Sequence, residues 1–215
     1  MSDHDHHGDG PHRHSGDGAA DWDASYADSE QRWSGRPNPQ LVAELADHAP
    51  GTALDVGSGE GGDAVWLAQH GWTVTGLDLS SVAIERARRA AAGAGVAVEW
   101  LVGSIADGPL PGRTFDLVAG HYLALRRDTA ARAIDVMLDA VAPGGTLLVV
   151  GHGEEHRERA LSHGFDPDDY LQPADFAAAL GDGWAIEVDE TRERSDAADA
   201  SSHHVADVVL RARRA

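Results

Sequence analysis

Two carboxylates and a run of glycines occur together in the stretch ALDVGSGEGGDAVWLAQHGWTVTGLDLS. One apolar run ends in Asp55 and the next ends in Asp78. Between them, Gly57, Gly59 and Gly62 match the spacing G-x-G-x-x-G. A glycine turn between a strand and a helix lets backbone amides approach a ligand, and an acid after the second strand can bind both hydroxyl groups of a ribose. The stretch predicts a site for an adenosine-containing ligand, although Asp78 alone could instead stabilise the N-terminus of the next helix.

The charge of Asp55 distinguishes between adenosine-containing ligands. The pyrophosphate of NAD would lie close to this carboxylate, and the two negative charges would repel each other. A ligand with a cationic end would be attracted instead, and S-adenosylmethionine carries both an ammonium and a sulfonium group. The residue therefore favours the methyl donor over a nicotinamide cofactor.

Three further side chains that could take part in chemistry follow predicted strands. His121 and Tyr122 come directly after the fourth strand, and His152 comes after the fifth. Ligands of parallel sheets bind at the carboxyl edge, where these residues would lie. We predict His121 and Tyr122 as catalytic residues, and Trp33, His121 and His152 as contacts to the substrate. A neutral loop histidine is an equally good interpretation of His121.

Two other pairs of side chains have more than one interpretation. Arg126 and Arg127 could hold an anionic substrate, or they could be solvated or paired with surface acids. Trp22 and Trp33 could close over the ligand as a lid, or they could fix the N-terminal segment to the core. The sequence leaves both questions open.

The elements that must position these residues alternate between strands and helices. Apolar runs predict seven strands, at residues 53–56, 72–77, 96–101, 114–120, 146–150, 184–191 and 205–211. Helical patterns with N-cap residues at Asn38, at Ser80 or Ser81 and at Asp128 predict helices, at residues 21–33, 39–48, 63–68, 81–92, 128–141 and 173–180. The fold class is therefore α/β: a Rossmann-like, doubly wound, mostly parallel seven-stranded sheet with an antiparallel C-terminal strand, in a single domain.

The composition limits the classes of function. The formal net charge is -19, and the chain contains no lysine and no cysteine. Nucleic acids and anionic membranes would repel so acidic a protein, and chemistry that needs lysine or a thiolate is excluded. No apolar run is long enough for a membrane helix, and the N-terminus lacks the pattern of a signal peptide. We expect a cytoplasmic protein that binds neither nucleic acid nor membrane.

Four motifs together resemble the class I S-adenosylmethionine-dependent methyltransferases. They are Asp55-Val56-Gly57-Ser58-Gly59-Glu60-Gly61, Gly76-Leu77-Asp78-Leu79-Ser80, Phe115-Asp116-Leu117-Val118 and Pro143-Gly144-Gly145-Thr146-Leu147. The resemblance covers nearly everything except the first residues. Within the class, the chain looks most similar to the small-molecule branch related to tellurite-resistance and thiopurine methyltransferases.

The resemblance implies which residues bind the methionine end of the donor, S-adenosyl-L-methionine. Gly57, Ser58, Gly59 and Gly61 would form the turn beneath it. Asp55 would help to hold the ammonium group, directly or through water.

The resemblance also implies contacts to the adenosine end. Asp78 would bind the ribose hydroxyls, and Leu79 would pack on one face of the adenine. Ser104 stands where many relatives have an Asp that accepts the adenine amino group, and a serine can accept one such hydrogen bond without charge. The backbone amide of Ile105 could bind an adenine ring nitrogen.

The chain divides into three predicted segments. Residues 1–18 form a disordered, His-rich tail, residues 19–50 an N-terminal helical segment and lid, and residues 51–215 the methyltransferase domain. The tail could bind a transition metal weakly, or its histidines could simply be solvated; they are His4, His6, His7, His12 and His14. We predict no other metal site.

The predicted function is the transfer of a methyl group from S-adenosylmethionine to a small-molecule acceptor by in-line displacement. A soft acceptor atom such as sulfur would need no general base, whereas nitrogen or oxygen could need one. An NAD(P)-binding oxidoreductase on the same sheet is one alternative, and a non-enzymatic metal-handling protein that acts through the tail is another. The acceptor and the oligomeric state are not predicted.

Overall fold

The computed structural model of the protein describes residues 18–29, 31–108, 110–162, 165–193 and 206–215. Its centre is one seven-stranded sheet in the order β3-β2-β1-β4-β5-β7-β6. The strands are β1 (Thr52–Val56), β2 (Thr73–Asp78), β3 (Glu99–Val102), β4 (Phe115–His121), β5 (Val141–His152), β6 (Trp184–Glu193) and β7 (Ala206–Arg214). Strands β1 to β5 pair parallel, whereas β7 pairs antiparallel with both β5 and β6. The predicted fold class, with its antiparallel C-terminal strand, is confirmed.

Seven α-helices cover the sheet in the described part of the chain. They are α1 (Ala19–Ala27), α2 (Pro39–Glu44), α3 (Gly62–Gln69), α4 (Ser81–Ala94), α5 (Ala131–Asp139), α6 (Arg157–Ser162) and α7 (Pro173–Ala179). Alternate strand residues point to opposite faces, so Leu54 and Val56 pack in one core cluster and Ala53 packs in the other. Both faces are thereby buried, which is why the strands read as continuous apolar runs.

The strand register brings the predicted site residues to one edge. Val56 lies opposite Leu77 on β2 and opposite Gly120 on β4. The next residues of these two strands are Asp78 and His121, which therefore end beside the turn that follows β1. The carboxyl edge of the sheet collects residues that are far apart in the sequence.

Helix caps explain where several helices begin. The side chain of Asn38 accepts a hydrogen bond from the amide of Gln40 at 2.9 Å, and Pro39 occupies the first turn of α2, as predicted. Ser80 caps α4 by accepting from Ala83 at 3.1 Å. The prediction that Asp128 caps α5 is wrong, because its carboxylate binds Arg126 and the helix begins after Ala130.

Other predicted boundaries were wrong by several residues. The helices predicted at 21–33 and 39–48 are shorter and end at Ala27 and Glu44. The third strand begins at Glu99 rather than at 96, and β5 begins at Val141, ahead of the Pro-Gly-Gly sequence that was expected to separate helix from strand. Helix α6 was not predicted. Within the described ranges, no helix is both long and apolar enough to cross a membrane.

Candidate active site

The turn between β1 and α3 has the backbone conformation that only glycine adopts easily. Gly57 and Gly59 have φ values of +70° and +52°. A Cβ atom on Gly57 would approach the Leu123 side chain to 3.1 Å, and one on Gly59 would lie 3.1 Å from the hydroxyl of Tyr26. The turn is therefore both left-handed and closely surrounded.

Asp78 is fixed by the backbone on both sides of its carboxylate. Its Oδ2 accepts a hydrogen bond from the amide of Gly59 at 2.8 Å, and its Oδ1 accepts one from Ser80 at 2.8 Å. Burial raises the pKa of Asp78, although these two hydrogen bonds favour the charged form. Each oxygen keeps a further lone pair, so the carboxylate can still accept hydrogen bonds from a pair of hydroxyl groups.

Asp55 is buried at the end of β1 and only partly satisfied. Asp55 is 2% exposed, and its Oδ2 atom has no hydrogen-bond partner. Burial raises the pKa of Asp55 well above its ordinary value, and the charges of Asp63 and Asp78 raise it further. A ligand that brings a positive charge would stabilise the ionised form.

His121 lies against the same acidic group. Its Nδ1 is 2.7 Å from Oδ2 of Asp63, and the His121 side chain is 5% exposed. Oδ1 of Asp63 accepts a hydrogen bond from the amide of Asn38 at 2.6 Å. Asp63 thus connects β4 to the start of α2, while neither ring nitrogen of His121 makes an aligned hydrogen bond.

Aromatic side chains from the N-terminal segment cover the glycine turn. Tyr26 on α1 is 3% exposed, and its hydroxyl accepts a hydrogen bond from the indole nitrogen of Trp33 at 3.0 Å. Both rings lie against Gly59, and Trp33 itself is 53% exposed. Burial, followed by the nearby charge of Asp78, raises the pKa of Tyr26 to about 12, so its phenol is neutral at ordinary pH.

A buried ion pair holds this cover in place. Glu60, within the glycine turn, accepts hydrogen bonds from the amides of Arg32 and Trp33 at 3.1 Å and 2.8 Å. Its other partner is Arg86 on α4, at 2.7 Å. Arg86 also donates to the backbone carbonyls of Tyr26, at 2.6 Å, and Ser29. The glycine turn, α4 and the N-terminal segment are therefore one connected unit.

A second site lies next to the turn, at the carboxyl ends of β4 and β5. It is a cleft of about 110 Å³ whose lining includes Tyr122, Leu123 and His152. The rings of Tyr122 and His152 are stacked with their centroids 4.3 Å apart, and the Tyr122 hydroxyl donates to the buried Asp207 at 2.6 Å. Since Leu123 also lies against Gly57, the cleft and the glycine turn share a wall.

The arginines near this cleft are engaged with acids. Arg126 pairs with Asp128 at 3.1 Å, and Arg127 pairs with Asp175 at 2.5 Å. Arg157, which lines the cleft, makes two bonds to the carboxylate of Asp168. Of the two interpretations of Arg126 and Arg127, the structure shows pairing with surface acids.

The remaining predicted contacts lie close to the turn or follow β3. Ser58 is buried beside Gly76, and a Cβ on Gly61 would overlap Trp100, so Gly61 is needed for packing. Leu79 is half-buried at the end of β2. Beyond β3, Ser104 caps a short 3₁₀ helix by accepting a hydrogen bond from the amide of Ala106 at 3.2 Å. Ile105 is the first residue of this helix, and its side chain is buried in the core.

Three residues of the site were not found from the sequence. Asp63 was missed because its contact with His121 exists only once β4 has paired with β1. Neither Tyr26 nor Leu123 was predicted as a site residue. None of them belongs to a short motif, so the sequence carried no local signal for their roles.

Comparison with known proteins finds matches to the central part of the chain. Residues 53–145 match a family described as a methyltransferase domain. A ribosomal RNA small subunit methyltransferase C from Alcanivorax borkumensis is 33% identical over 109 residues, which are 49% of this chain and 33% of that relative. The chain therefore spans only a third of that curated relative's length.

Two solved structures share the fold over almost the whole chain. One comes from work on the conversion of a disulfide bond into a thioacetal group during echinomycin biosynthesis. It is 26% identical with a TM-score of 0.72, and the match covers 91% of this chain and 92% of that chain. The other, the N-methyltransferase NodS from Bradyrhizobium japonicum WM9 in complex with S-adenosyl-L-homocysteine, is 19% identical with a TM-score of 0.70 and covers 92% and 99%. The resemblance to class I S-adenosylmethionine-dependent methyltransferases is confirmed, and S-adenosylmethionine is the methyl donor of that class.

Proposed function

We propose that the protein transfers a methyl group from S-adenosylmethionine to a small-molecule acceptor that binds in the cleft beside Leu123. The observation that carries this proposal is the placement of two carboxylates around the glycine turn. Asp55 is the penultimate residue of β1 and Asp78 is the last residue of β2, and both lie at the edge where ligands of such sheets bind. The donor has a cationic end and a ribose, and the two acids fit these two groups in turn.

The described residues fit the donor. Oδ2 of Asp55 is a buried acceptor with no partner, as an ammonium group would require. Asp78 presents its remaining lone pairs beside the turn, at hydrogen-bonding positions suited to ribose hydroxyls. When bound, the donor supplies an electrophilic methyl group on its sulfonium sulfur.

The protein's own contribution is alignment and the exclusion of water. Tyr26 and Trp33 cover the turn, and the Glu60–Arg86 pair holds them there. Methyl transfer disperses charge rather than creating it, so holding both reactants in line in a dry site supplies most of the catalytic effect. Of the two interpretations of Trp33, the contacts favour a cover over the donor that is also fixed to the core.

The residues predicted to contact the methyl acceptor take different roles in this proposal. His121 faces Asp55 and Asp63, whereas Tyr122 and His152 form an aromatic wall of the cleft. Because the Tyr122 hydroxyl donates to Asp207, this phenol orients the ring rather than acting as a base. Leu123 lies between the cleft and the glycine turn, so in-line transfer from the donor to an acceptor in the cleft requires this side chain to move aside.

Calorimetry tests the donor site directly. We expect S-adenosyl-L-homocysteine to bind one equivalent of protein and Asp78→Asn to weaken this binding about tenfold or more, because a neutral amide makes weaker hydrogen bonds to the ribose. Transfer of a labelled methyl group to thiols, amines and oxyanions then identifies the acceptor. Binding of NAD in place of the homocysteine compound would overturn the proposal.

Several finer expectations stay predictions. They are the tellurite- and thiopurine-type branch, the cytoplasmic location and the three-segment division with a lid at residues 19–50. The His-rich tail lies almost wholly outside the described residues, and its weak metal binding is likewise a prediction.

A further inference from the structure

One buried and two partly buried side chains from three elements converge beside the glycine turn. Asp55 comes from the end of β1, Asp63 from the first turn of α3 and His121 from the end of β4. One potential ligand atom of each residue lies within 4.8 Å of the other two. We call these residues the Asp55–Asp63–His121 cluster.

The cluster contains polar atoms that the protein itself does not satisfy. Oδ2 of Asp55 and Nε2 of His121 are buried without a hydrogen-bond partner. Nδ1 of His121 lies 2.7 Å from Oδ2 of Asp63, but without an aligned hydrogen bond. Buried polar atoms are nearly always paired, so several orphans in one place indicate a ligand. Two carboxylates at this separation repel each other, and a positive charge between them removes that repulsion.

We propose that the Asp55–Asp63–His121 cluster is a binding site for a divalent transition-metal ion in the donor-free protein, and that donor and metal exclude each other. The metal site stands on the cluster alone. The exclusion rests on the proposed function, because it requires the donor's ammonium group to occupy Asp55.

The donor set and its spacing suit such an ion. Two carboxylates and one imidazole are ligands that Mn²⁺, Co²⁺ and Zn²⁺ accept. With ligand bonds of about 2.1 Å, two atoms on opposite sides of one ion are about 4.2 Å apart. Two atoms at the 4.8 Å limit would have to approach by about 0.6 Å to lie on opposite sides of one ion, and by more to occupy adjacent positions, and side-chain rotation can supply such movements. Asp63 can rotate while its Oδ1 keeps the Asn38 amide.

Exclusion has a measurable consequence through linkage. An ion that binds only the donor-free form weakens the apparent donor affinity by the factor 1 + [ion]/Kd, where Kd is the dissociation constant of the ion. The donor must weaken the apparent metal affinity in the corresponding way, because coupling between two ligands is reciprocal. Both effects should vanish together in a variant that replaces Asp63 or His121.

Manganese is the appropriate probe for the full chain. Mn²⁺ has the weakest affinity of the common divalent transition metals for imidazole, so the His-rich tail competes least for it. Titration followed by the electron paramagnetic resonance of free Mn²⁺ would count bound ions in the wild type, Asp63→Asn, His121→Asn and Glu85→Gln. Glu85 is an exposed acid on α4, and its substitution controls for the loss of one surface charge.

We expect wild type and Glu85→Gln to bind one more equivalent of Mn²⁺ than Asp63→Asn or His121→Asn. The affinity of the cluster for this ion should be at least tenfold weaker in the two cluster variants. Saturating S-adenosyl-L-homocysteine should release that equivalent. Asp63→Asn keeps the acceptor for the Asn38 amide, and far-ultraviolet circular dichroism of both variants checks that each is folded.

Two results would overturn the inference. Equal Mn²⁺ counts and affinities in wild type and both folded cluster variants would remove the metal site. Retention of the ion by the protein saturated with S-adenosyl-L-homocysteine would remove the exclusion. Failure of the proposed function gives a different result. S-adenosyl-L-homocysteine would then not bind, while the number of bound Mn²⁺ ions would still depend on Asp63.

Discussion

Asp55 is buried in a position where its ionised carboxylate costs folding free energy. The side chain keeps one oxygen without a partner, and it stands near two other acids. Proteins retain such destabilising groups where binding or catalysis needs them. Under the proposed function, that need is the cationic end of the methyl donor, so stability and donor binding should respond to the removal of Asp55 in opposite directions.

Replacement of Asp55 by Asn tests this opposition. Asp55→Asn should raise the thermal midpoint of the donor-free protein at pH 7, because a neutral amide does not repel Asp63 and Asp78. The same change should weaken S-adenosyl-L-homocysteine binding about 10- to 100-fold, since a charge-assisted hydrogen bond is lost. Thermal melts and calorimetry measure the two effects. Asp135→Asn, an exposed acid on α5, should change neither.

The stabilising effect of Asp55→Asn should depend on pH. A pKa that is raised in the folded protein means that the folded state keeps the proton to higher pH than the unfolded chain. The free energy of unfolding of wild type therefore falls as pH rises through that window, relative to the variant. Below about pH 4, where this group is protonated in both states, the two proteins should differ least. Urea unfolding that showed a constant difference from pH 4 to pH 8 would contradict this assignment.

Local sequence was sufficient for some site residues and insufficient for others. Asp55 and Asp78 could be predicted because each sits at a fixed place in a strand–turn–helix–strand unit. Asp63 could not, because its partner His121 reaches it only through the pairing of β1 with β4. Pair contacts of that kind depend on the fold, and no spacing rule within one element reports them.

At the scale of elements, the N-terminal segment is fixed mainly through Arg86. This side chain bonds Glu60 and two backbone carbonyls of the segment, and it is only 14% exposed. The carboxylate of Asp23 also accepts hydrogen bonds from the hydroxyls of Ser80 and Ser81 at the start of α4, at 2.6 Å and 2.9 Å. Helix α1 is too short to be stable alone, so these contacts determine whether it stays over the turn.

Removal of Arg86 should release this cover. Arg86→Ala leaves Glu60 buried without its cation, and breaking such a pair costs about 3 kcal/mol. We expect hydrogen exchange in residues 19–38 to be at least tenfold faster and S-adenosyl-L-homocysteine to dissociate faster, whereas the rest of the sheet stays protected. Arg89→Ala, at an exposed position of the same helix, should have neither effect. Exchange that was accelerated equally across the sheet would instead indicate global destabilisation.

Glu44 connects α2 to the C-terminal part of the sheet. Its side chain is 5% exposed and pairs with Arg192 on β6 and, at 2.6 Å, with Arg211 on β7. Glu44→Ala would leave two cations without this partner, so we expect a loss of about 3 kcal/mol in the free energy of unfolding and a thermal midpoint roughly 6–12 °C lower. Arg211 also contacts Glu187 at 3.0 Å, at a more exposed position. Glu187→Gln should cost about 1 kcal/mol or less, and a larger loss there than at Glu44 would contradict this argument.

Element types followed from the sequence better than element ends did. Apolar runs predicted all seven strands. The central strands β1, β2, β4 and β5 are apolar because both of their faces are buried, whereas the edge strand β6 is mostly exposed. The predicted start of α5 was wrong because Asp128 has two candidate partners, an amide of the helix and the guanidinium of Arg126. Only the structure shows that it binds Arg126. Likewise, the Pro-Gly-Gly sequence reads as a break, whereas it lies within the irregular start of β5.

At the scale of the whole molecule, topology explains why one edge holds both compartments. The order β3-β2-β1-β4-β5 reverses direction between β1 and β4, and ligands of doubly wound sheets bind at this reversal. The glycine turn follows β1, while the cleft follows β4 and β5. The alternation of strands and helices predicted this arrangement in outline, but the shared wall at Leu123 depends on a loop whose path no pattern encodes.

The net charge of the whole molecule predicts which acceptors it cannot take. One relative of the central domain is a ribosomal RNA methyltransferase, yet this chain carries 36 acidic residues against 17 basic ones. Phosphate backbones are bound through cations that release counterions, and here the long-range field is repulsive. We therefore expect no shift of small-subunit ribosomal RNA in a gel at about 50 mM salt, where electrostatic attraction is strongest, while a basic RNA-binding protein shifts the same RNA as a control. A complex that weakens as salt rises would show a local cationic surface strong enough to overcome the net charge, and small molecules would then no longer be the preferred class of acceptor.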